Sequence, residues 1–279
     1  MEICRTINEL EACLEVEHLK GKSVGLLPTM GALHEGHLSL LQRAKEENDV
    51  VVCSIFVNPV QFNNKEDFEK YPRDVEKDER LLEEKGCNIA FVPSADEVYA
   101  EPATEQYSFG DLETVMEGSA RPGHFNGVAT IVKRLFDWTK ANRAYFGEKD
   151  YQQIAVIKDL VRQFNIPVEI IVCPIFRDAD GLATSSRNQR LSADKRSIAP
   201  KIHQILSKSY NLKDSLSLSQ IKNFVISEFK MYKDFELEYF EIVDAQTLQP
   251  LLKKGNNGVI GCIAVWLGGV RLIDNQRYY

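Results

Sequence analysis

The sequence predicts an α/β fold with a doubly wound parallel sheet, followed by a smaller C-terminal α+β domain. Strand-like and helix-like segments alternate as far as Cys173, which is typical of such a sheet. Residues 49–58, DVVVCSIFVN, are apolar almost throughout, as expected of a strand that is buried on both faces. After residue 176 the order changes to helices and then strands, which indicates a second domain.

The first domain is predicted to be Rossmann-like and to cover residues 1–175. Its first helix has a capping box, because Glu9 follows the N-cap candidate Thr6 by three residues. Residues 94–123 carry three glycines and a proline late in the stretch and are predicted to be irregular. In chain order the predicted elements are a helix at 5–20, a strand at 24–27, a helix at 34–48, a strand at 49–58, a loop at 63–72, a helix at 74–85, a strand at 88–92, a helix at 126–139, a strand at 143–146, a helix at 151–164 and a strand at 168–173.

The second domain is predicted to cover residues 176–279. It begins with a polar loop at 177–190, which has little helix or strand character. Periodicity then predicts helices at 194–210 and 218–232 and strands at 237–244, 259–267 and 271–273.

Composition restricts the class of protein. The chain has 279 residues, and its 34 Lys and Arg against 41 Asp and Glu give a formal net charge of −7. An acidic balance argues against general nucleic-acid binding. The longest apolar runs fall short of the roughly 18 residues that a membrane helix needs, and no signal peptide is recognised, so we expect a cytoplasmic protein with no membrane partner. The six cysteines form no C-x-x-C pair and are expected to be reduced thiols.

The clearest candidate for chemistry is the turn between the first predicted strand and the following helix. There His34 and His37 lie three residues apart, on one side of a helical first turn. Backbone N–H groups at a helix start favour anions, and Gly31 and Gly36 let the backbone approach a ligand closely. The pattern indicates a phosphate site of a kind other than a Walker A loop. A solvated helix surface or an incomplete zinc site has the same spacing.

Polar residues also follow two other predicted strands, at the edge where ligands of α/β sheets bind. Lys149, before a helix, is placed to reach a phosphate, and Gln153 one turn later to donate to a carboxylate or hydroxyl. A capping turn with an exposed lysine fits the same residues. Asn58 and Gln61 are amides that suit a hydroxyl, amine or carboxylate, although an Asn-Pro turn is the alternative.

A polar loop offers a further anion site. Thr184, Ser185 and Ser186 supply hydroxyl groups, and Arg187 supplies a bidentate fork, a combination that suits a polyphosphate. An ordinary solvated loop has the same composition. Weaker candidates in the irregular stretch are Glu117, Arg121 and His124.

Together these motifs resemble those of the pantoate–β-alanine ligase family. The six motifs occur in the family's order over the first two-thirds of the chain: PTMGALHEGH at 28–37, FVNPVQF at 56–62, YPR at 71–73, RPGHFNGV at 121–128, FGEKDYQQ at 146–153 and DGLATSSRN at 180–188. The family is one of the H-x-G-H nucleotidylyltransferases, which are similar to class I aminoacyl-tRNA synthetases. In role, the Ser-Ser-Arg loop resembles their K-M-S-K-S loop.

The resemblance implies an ATP-dependent condensation of (R)-pantoate with β-alanine, which gives pantothenate, AMP and pyrophosphate by way of pantoyl adenylate. It also implies Mg²⁺ as a cofactor, a homodimer, and a C-terminal domain that acts as a lid. The adenylation step would need positioning and charge stabilisation rather than a strong base, because a carboxylate is already ionised near neutral pH.

The resemblance further implies roles for individual residues, with His37 as the proton donor. The implied catalytic residues are His34, His37, Lys149, Ser185, Ser186 and Arg187. The implied ATP-contacting residues are Met30, Gly31, Ala32, Leu33, His34, Glu35, Gly36, His37, Gly147, Glu148, Lys149, Asp150, Phe176, Thr184, Ser185, Ser186 and Arg187. The implied substrate-binding residues for pantoate and β-alanine are Gln61 and Gln153, together with Asn58, Pro28 and Thr29.

The metal is the least defined part of the resemblance. Asp78 matches an acidic position after the YPR motif that is linked to metal in the family. Lys77 precedes it, where some relatives carry a second acid. The two alternatives are therefore a protein ligand at Asp78 and an Mg²⁺ ion that is held mainly by ATP.

Two other functions fit parts of the pattern. Another H-x-G-H adenylyltransferase, acting on a phosphorylated acceptor, would also use His34, His37 and the Ser-Ser-Arg loop. It would not need the pair Gln61 and Gln153, and it would offer more cations to the acceptor phosphate. A non-catalytic nucleotide-binding module is the other alternative, although every polar position of the motifs is intact.

Overall fold

The computed structural model describes residues 1–101, 104–253 and 257–279. Within these ranges the strands are β1 (Glu2–Cys4), β2 (Val24–Thr29), β3 (Val50–Ile55), β4 (Ile89–Phe91), β5 (Arg143–Gly147), β6 (Glu169–Cys173), β7 (Phe235–Asp244), β8 (Val259–Leu267) and β9 (Val270–Arg277). The α-helices are α1 (Ile7–Leu19), α2 (Glu35–Glu47), α3 (Lys65–Glu69), α4 (Val75–Glu84), α5 (Ala95–Val98), α6 (Met116–Ala120), α7 (His124–Thr139), α8 (Tyr151–Phe164), α9 (Ala193–Ile198), α10 (Lys201–Asn211) and α11 (Leu218–Lys230).

The first six strands form one parallel sheet, which confirms the predicted α/β fold. Their order is β1-β4-β3-β2-β5-β6, with every neighbouring pair parallel. Strand β3 is buried at all six positions, because its apolar residues face helices on both sides of the sheet. One side packs Val51 and Cys53 with Leu41 of α2. The carboxyl ends of β2 and β3, where parallel strands present loops to ligands, carry the H-x-G-H turn and the Asn58 segment.

The structure corrects several predicted elements. Residues 2–4 form an edge strand ahead of the predicted first strand, but three residues are too few to show a period. The predicted loop at 63–72 contains α3, whose N-cap Asn64 accepts from two backbone amides. The predicted irregular stretch contains α5 and α6, while Pro102 and Ala103 lie outside the described residues. The predicted helix at 194–210 is two helices, α9 and α10, which meet at Pro200.

The last three strands form an antiparallel sheet in the order β7-β8-β9, as expected of an α+β domain. Helices α10 and α11 supply its apolar layer. Ile205 and Val225 from these helices share a core with Phe240 and Ile263 of the sheet. The third strand is longer than the predicted 271–273, because four consecutive polar residues, 274–277, continue the pairing with β8 but show no apolar period.

Packing divides the chain into two compact units that interleave in sequence. The sheet unit consists of Met1–Phe109, Arg121–Glu148 and Val156–Pro174, and the C-terminal unit of Gly110–Ala120, Lys149–Ala155 and Ile175–Tyr279. The predicted boundary between residues 175 and 176 stays a prediction. None of the helices in the described ranges is long and apolar enough to span a bilayer. All six cysteines are free thiols, in agreement with their predicted reduced state.

Candidate active site

The turn between β2 and α2 is tightly built. The Thr29 hydroxyl donates to the Ser54 carbonyl at 2.5 Å and accepts the Gly31 amide at 3.1 Å. Gly31 and Ala32 both have positive φ, +74° and +49°. The left-handed region suits glycine, but for an alanine it costs about 1–3 kcal/mol, so the surrounding contacts must hold Ala32 there.

Asp78 of α4 supplies those contacts. Its Oδ2 accepts the amide of Ala32 and its Oδ1 the amide of Leu33, each at 2.7 Å. The residue is 1% exposed. Burial raises the pKa of the Asp78 carboxyl, and the two backbone N–H groups act in the opposite direction.

The two histidines of the turn lie against each other at the amino end of α2. His34 is the N-cap residue, in extended conformation, and its carbonyl accepts the amides of His37 and Leu38. The two imidazole rings are stacked, with centroids 3.9 Å apart and an angle of 25° between planes. Both rings are half-buried. Two stacked imidazoles beside a helix amino terminus provide hydrogen-bond donors for an anion.

Gln61 lies beside this turn, on a short 3₁₀ turn over Pro59–Gln61. Its Nε2 lies 3.0 Å from the Met30 sulfur. Its Oε1 accepts from Nδ2 of Asn58 at 3.1 Å. The amide of Gln61 is therefore oriented with its N–H groups toward the H-x-G-H turn.

Asn58 is 1% exposed and engaged at both ends of its amide. Its Nδ2 also donates to the Gly127 carbonyl at 3.0 Å, and its Oδ1 accepts the Tyr99 hydroxyl at 2.5 Å and the Val60 amide at 3.3 Å. All of its polar atoms thus bind protein groups, and the orientation of its amide is fixed. Burial raises the pKa of Tyr99 to about 12, so its hydroxyl remains a donor at neutral pH.

The weaker candidate His124 supports the same segment. It is 6% exposed, and its Nδ1 donates to the Gln61 carbonyl at 2.9 Å. Arg121 lies 3.1 Å from the other ring nitrogen. Glu117, the third weaker candidate, belongs to the C-terminal unit, where it pairs with Arg271 at 2.8 Å.

The C-terminal unit holds Lys149 and Gln153. The Lys149 ammonium lies 3.0 Å from the Asp150 carboxylate, and its carbonyl accepts Nδ2 of Asn275 at 3.1 Å. The buried Gln152 anchors the start of α8. Its Nε2 donates to two carbonyls of the 110–120 segment, and its Oε1 accepts the amide of Glu117 at 2.9 Å. Lys149 and Gln153 therefore lie on a firmly anchored backbone.

The Ser-Ser-Arg segment also belongs to the C-terminal unit. Ser185 is the N-cap of a 3₁₀ turn over Ser186–Arg190 and accepts the amide of Arg187 at 3.3 Å. The Thr184 hydroxyl donates to Asp178 at 2.8 Å, and Arg196 binds that same carboxylate at 2.9 Å. The Thr184 amide donates to the carbonyl of Phe176, whose side chain is exposed. Tertiary contacts thus shape a loop that composition alone describes as polar.

The predicted residues therefore fall into two groups. The sheet unit brings together the turn, Asn58, Gln61 and Asp78, and it also holds Gly147 and Glu148. The C-terminal unit contains the remaining predicted residues, Lys149, Asp150, Gln153, Phe176, Thr184, Ser185, Ser186 and Arg187.

Comparison with known proteins shows the family of the chain. The family model described as pantoate-beta-alanine ligase matches residues 2–277. A pantothenate synthetase of Bacteroides fragilis is 52% identical over 279 residues, which is 100% of this chain and 99% of that protein. One from Porphyromonas gingivalis is 47% identical over the same share of both chains.

The chain belongs to the pantoate–β-alanine ligase family.

Solved structures of the family agree in fold. The pantothenate synthetase of Thermus thermophilus is 42% identical, covers 100% of both chains and superposes with a TM-score of 0.94. The Francisella tularensis ligase, crystallised with beta-gamma ATP and beta-alanine, is 38% identical, with a TM-score of 0.83 over 100% of this chain and 98% of its own.

Asp78 is the predicted metal ligand of this member of the ligase family, and the structure places it against the backbone of the turn. Within residues 1–101, 104–253 and 257–279, no three His, Cys, Asp or Glu side chains are grouped to hold an ion. Both oxygens of Asp78 already accept backbone amides. In proteins, Mg²⁺ usually keeps several waters and binds one or two carboxylates together with substrate phosphates. The assignment of Asp78 as a metal ligand therefore stays a prediction.

Two residues that support the predicted site residues of this ligase were not predicted from the sequence, for different reasons. Tyr99 lies in the stretch predicted to be irregular, and its partner Asn58 is 41 residues away, so no local pattern identifies it. Gln152 had a usable signal. It shares one helix face with Val156 and Leu160, which are fully buried, and the spacing of four residues predicts burial for Gln152 too.

Proposed function

We propose that this chain catalyses the ATP-dependent condensation of (R)-pantoate with β-alanine to pantothenate, AMP and pyrophosphate. The observation that carries the proposal is the contact between Gln61 and Met30, beside the stacked histidines. It joins an amide suited to an acid substrate with a helix amino terminus suited to a nucleotide phosphate. Membership of the ligase family supports the same reaction.

In the first step, an oxygen of the pantoate carboxylate attacks the α-phosphorus of ATP. A phosphorus–oxygen bond forms, the bond to the bridging oxygen breaks, and pyrophosphate leaves. Gln61 donates N–H groups to pantoate, with Gln153 as a second ligand, and Asn58, Pro28 and Thr29 line the site. His34 and His37 stabilise the charge that develops on the α- and β-phosphates, with His37 as proton donor.

Binding the nucleotide is proposed for segments of both units. Residues 30–37 and 147–148 belong to the sheet unit. Residues 149–150, Phe176 and residues 184–187 belong to the C-terminal unit. The β- and γ-phosphates and the departing pyrophosphate are held by Lys149, Ser185, Ser186 and Arg187. Their charge and hydroxyl donors suit that role.

In the second step, the amine of β-alanine attacks the acyl carbon of pantoyl adenylate. The carbon–nitrogen bond forms, the carbon–oxygen bond to AMP breaks, and the nitrogen loses a proton. Gln61 is proposed to face β-alanine as well as pantoate. The family member from Francisella tularensis, whose structure holds beta-gamma ATP and beta-alanine, supports the choice of both ligands.

Mg²⁺ is proposed to enter with ATP as part of the substrate. The ion would neutralise the triphosphate charge. Support comes from Asp78, whose two oxygens both accept backbone amides.

The decisive test is a coupled assay for AMP and pyrophosphate with ATP, Mg²⁺ and (R)-pantoate, with and without β-alanine. Steady AMP release that requires both acids supports the ligase. If no AMP or pyrophosphate is released with pantoate but turnover occurs with a phosphorylated acceptor, the protein is an adenylyltransferase instead. ATP binding without turnover on any acceptor would leave only a nucleotide-binding module.

Three larger features also belong to the proposal. Residues 1–175 are proposed to bind nucleotide and pantoate, and residues 176–279 to act as a lid. Small-angle scattering with and without an ATP analogue tests lid closure. The homodimer is tested by sedimentation velocity, where a single species of monomer mass would exclude it.

A further inference from the structure

Asp78 carries a carboxylate, a group that is usually exposed to solvent, but in this structure it is buried against the backbone. It lies in α4, which begins after the N-cap Asp74, and it is 1% exposed. Its two oxygens accept two successive amides, those of Ala32 and Leu33, at 2.7 Å each. Hydrogen bonds to a carboxylate are stronger than neutral ones, so this pair is a rigid bidentate clamp on the backbone.

The backbone that Asp78 holds has an unfavourable conformation. Gly31 and Ala32 are consecutive residues with positive φ, and Ala32 carries a Cβ that disfavours this conformation. A Cβ added to Gly31 would meet Oδ2 of Asp78 at 2.9 Å, so the carboxylate packs directly on the turn. The residues that follow the clamp are His34, the N-cap of α2, and His37.

We propose that Asp78 is a positioning residue that sets the H-x-G-H turn, and that it does not act as the Mg²⁺ ligand. By holding the amides of Ala32 and Leu33, it fixes where the backbone enters α2 and hence where the stacked imidazoles lie. The inference rests on the proposed function, because it assigns Asp78 a role in that same site.

The two roles of Asp78 place different demands on its carboxylate. Each carboxylate oxygen keeps a second lone pair beside its amide, but Asp78 is buried, whereas Mg²⁺ usually keeps several waters and needs a site open to solvent. The clamp and the metal site therefore differ in what removal of the carboxylate does. Loss of a positioning group lowers kcat, whereas loss of a metal ligand weakens Mg²⁺ binding.

The first test compares Asp78→Asn with Asp74→Asn, a matched change at the exposed N-cap of the same helix. An asparagine accepts one backbone amide but presents its own N–H₂ to the other. We expect kcat to fall about 10- to 100-fold, the scale of a misplaced catalytic group, with the half-saturating free Mg²⁺ concentration within about 2-fold of wild type. Asp74→Asn should leave both values nearly unchanged.

Two results would overturn the proposal. One is a rise of about 10-fold or more in the half-saturating Mg²⁺ concentration, with activity recovered at excess Mg²⁺, as expected when a metal ligand is lost. The other is an unchanged kcat in folded Asp78→Asn.

A second measurement needs no variant and no turnover. Hydrogen exchange of the wild-type chain, read by NMR, should show slow exchange at the amides of Ala32 and Leu33, both without ligand and with Mg²⁺ and a non-hydrolysable ATP analogue. Fast exchange in either state would refute the clamp. If the wild-type chain lacks ligase activity, the proposed function is wrong. The exchange data still test whether Asp78 holds the amides of Ala32 and Leu33.

Discussion

At the scale of single residues, neighbouring side chains fix the orientation of the Gln61 amide. Asn58 accepts from Tyr99 and donates to the oxygen of Gln61, so Gln61 presents its N–H groups toward the H-x-G-H turn. An amide held this way offers donors, which suit a carboxylate or hydroxyl oxygen of a substrate. The orientation of the Gln61 amide therefore depends on Tyr99, which lies outside the H-x-G-H turn.

Removing the Tyr99 hydroxyl tests this chain of hydrogen bonds. We expect Tyr99→Phe to raise the KM for pantoate about 3- to 10-fold, the effect of one lost hydrogen bond, with the KM for ATP unchanged. Steady-state kinetics with each substrate varied gives the result. Tyr107→Phe, on the same irregular stretch, is the matched control. A parallel rise in both KM values would show that Tyr99 supports only the fold.

His37 carries a second prediction at this scale. We expect His37→Ala to lower kcat by ~10²–10⁴-fold, the usual effect of losing a positioned proton donor or charge stabiliser. His18→Ala, on α1, is the control and should retain nearly full activity. Turnover of His37→Ala close to that of the wild type would remove His37 from the mechanism.

At the scale of elements, helix α7 holds the Gln61 segment in place. A Cβ added to Gly127 would meet the Val60 carbonyl oxygen and the Gln61 Cα at 2.6 Å. Backbone atoms cannot swing away as a flexible side chain can. The glycine is therefore required by the close approach of the 3₁₀ turn, and its carbonyl at the same time accepts from Asn58.

We accordingly expect Gly127→Ala to displace the turn. The free energy of unfolding should fall by about 1–3 kcal/mol, as for overpacking, and the KM for pantoate should rise. Urea unfolding and steady-state kinetics measure the two effects. Asp137→Ala, on the exposed side of the same helix, should change stability by less than about 0.5 kcal/mol. Wild-type stability and KM in Gly127→Ala would contradict the packing argument.

At the scale of the whole molecule, one buried ion pair ties distant parts of the C-terminal unit together. The Arg271 guanidinium binds both oxygens of Glu117 at 2.8 Å and also binds Glu238. The Tyr239 hydroxyl donates to Glu117 at 2.6 Å, and burial raises the pKa of Tyr239. The 110–120 segment, which also accepts from Gln152, is thereby joined to β7 and β9.

Breaking this pair from one side leaves a buried carboxylate without its cation. We expect Arg271→Leu to lower the free energy of unfolding by about 3–5 kcal/mol, and Arg271→Leu with Glu117→Leu to lower it less. Trp266, which donates to Glu238, reports the transition by fluorescence in urea. The half-exposed pair Lys222–Glu241 is the control, where Lys222→Met should cost less than about 1 kcal/mol. A double variant less stable than the single one would argue against the pair.

The sequence by itself determined the parts of this protein that depend on neighbours along the chain. The capping box at Thr6, the buried run of β3 and the helix–turn pattern around His34 and His37 are local, and the structure confirms each. Glycine spacing, N-caps and apolar period act within a few residues, so they can be interpreted without knowing the fold.

Only the tertiary structure decided which side chains support the candidate site. Asp78 reaches Ala32 across 46 residues, Tyr99 reaches Asn58 across 41, and Arg271 reaches Glu117 across 154. Each partner is chosen by the sheet order and helix packing, which bring together residues that share no local pattern. A buried carboxylate or amide leaves no period in the sequence, and its role follows from the groups that fold around it.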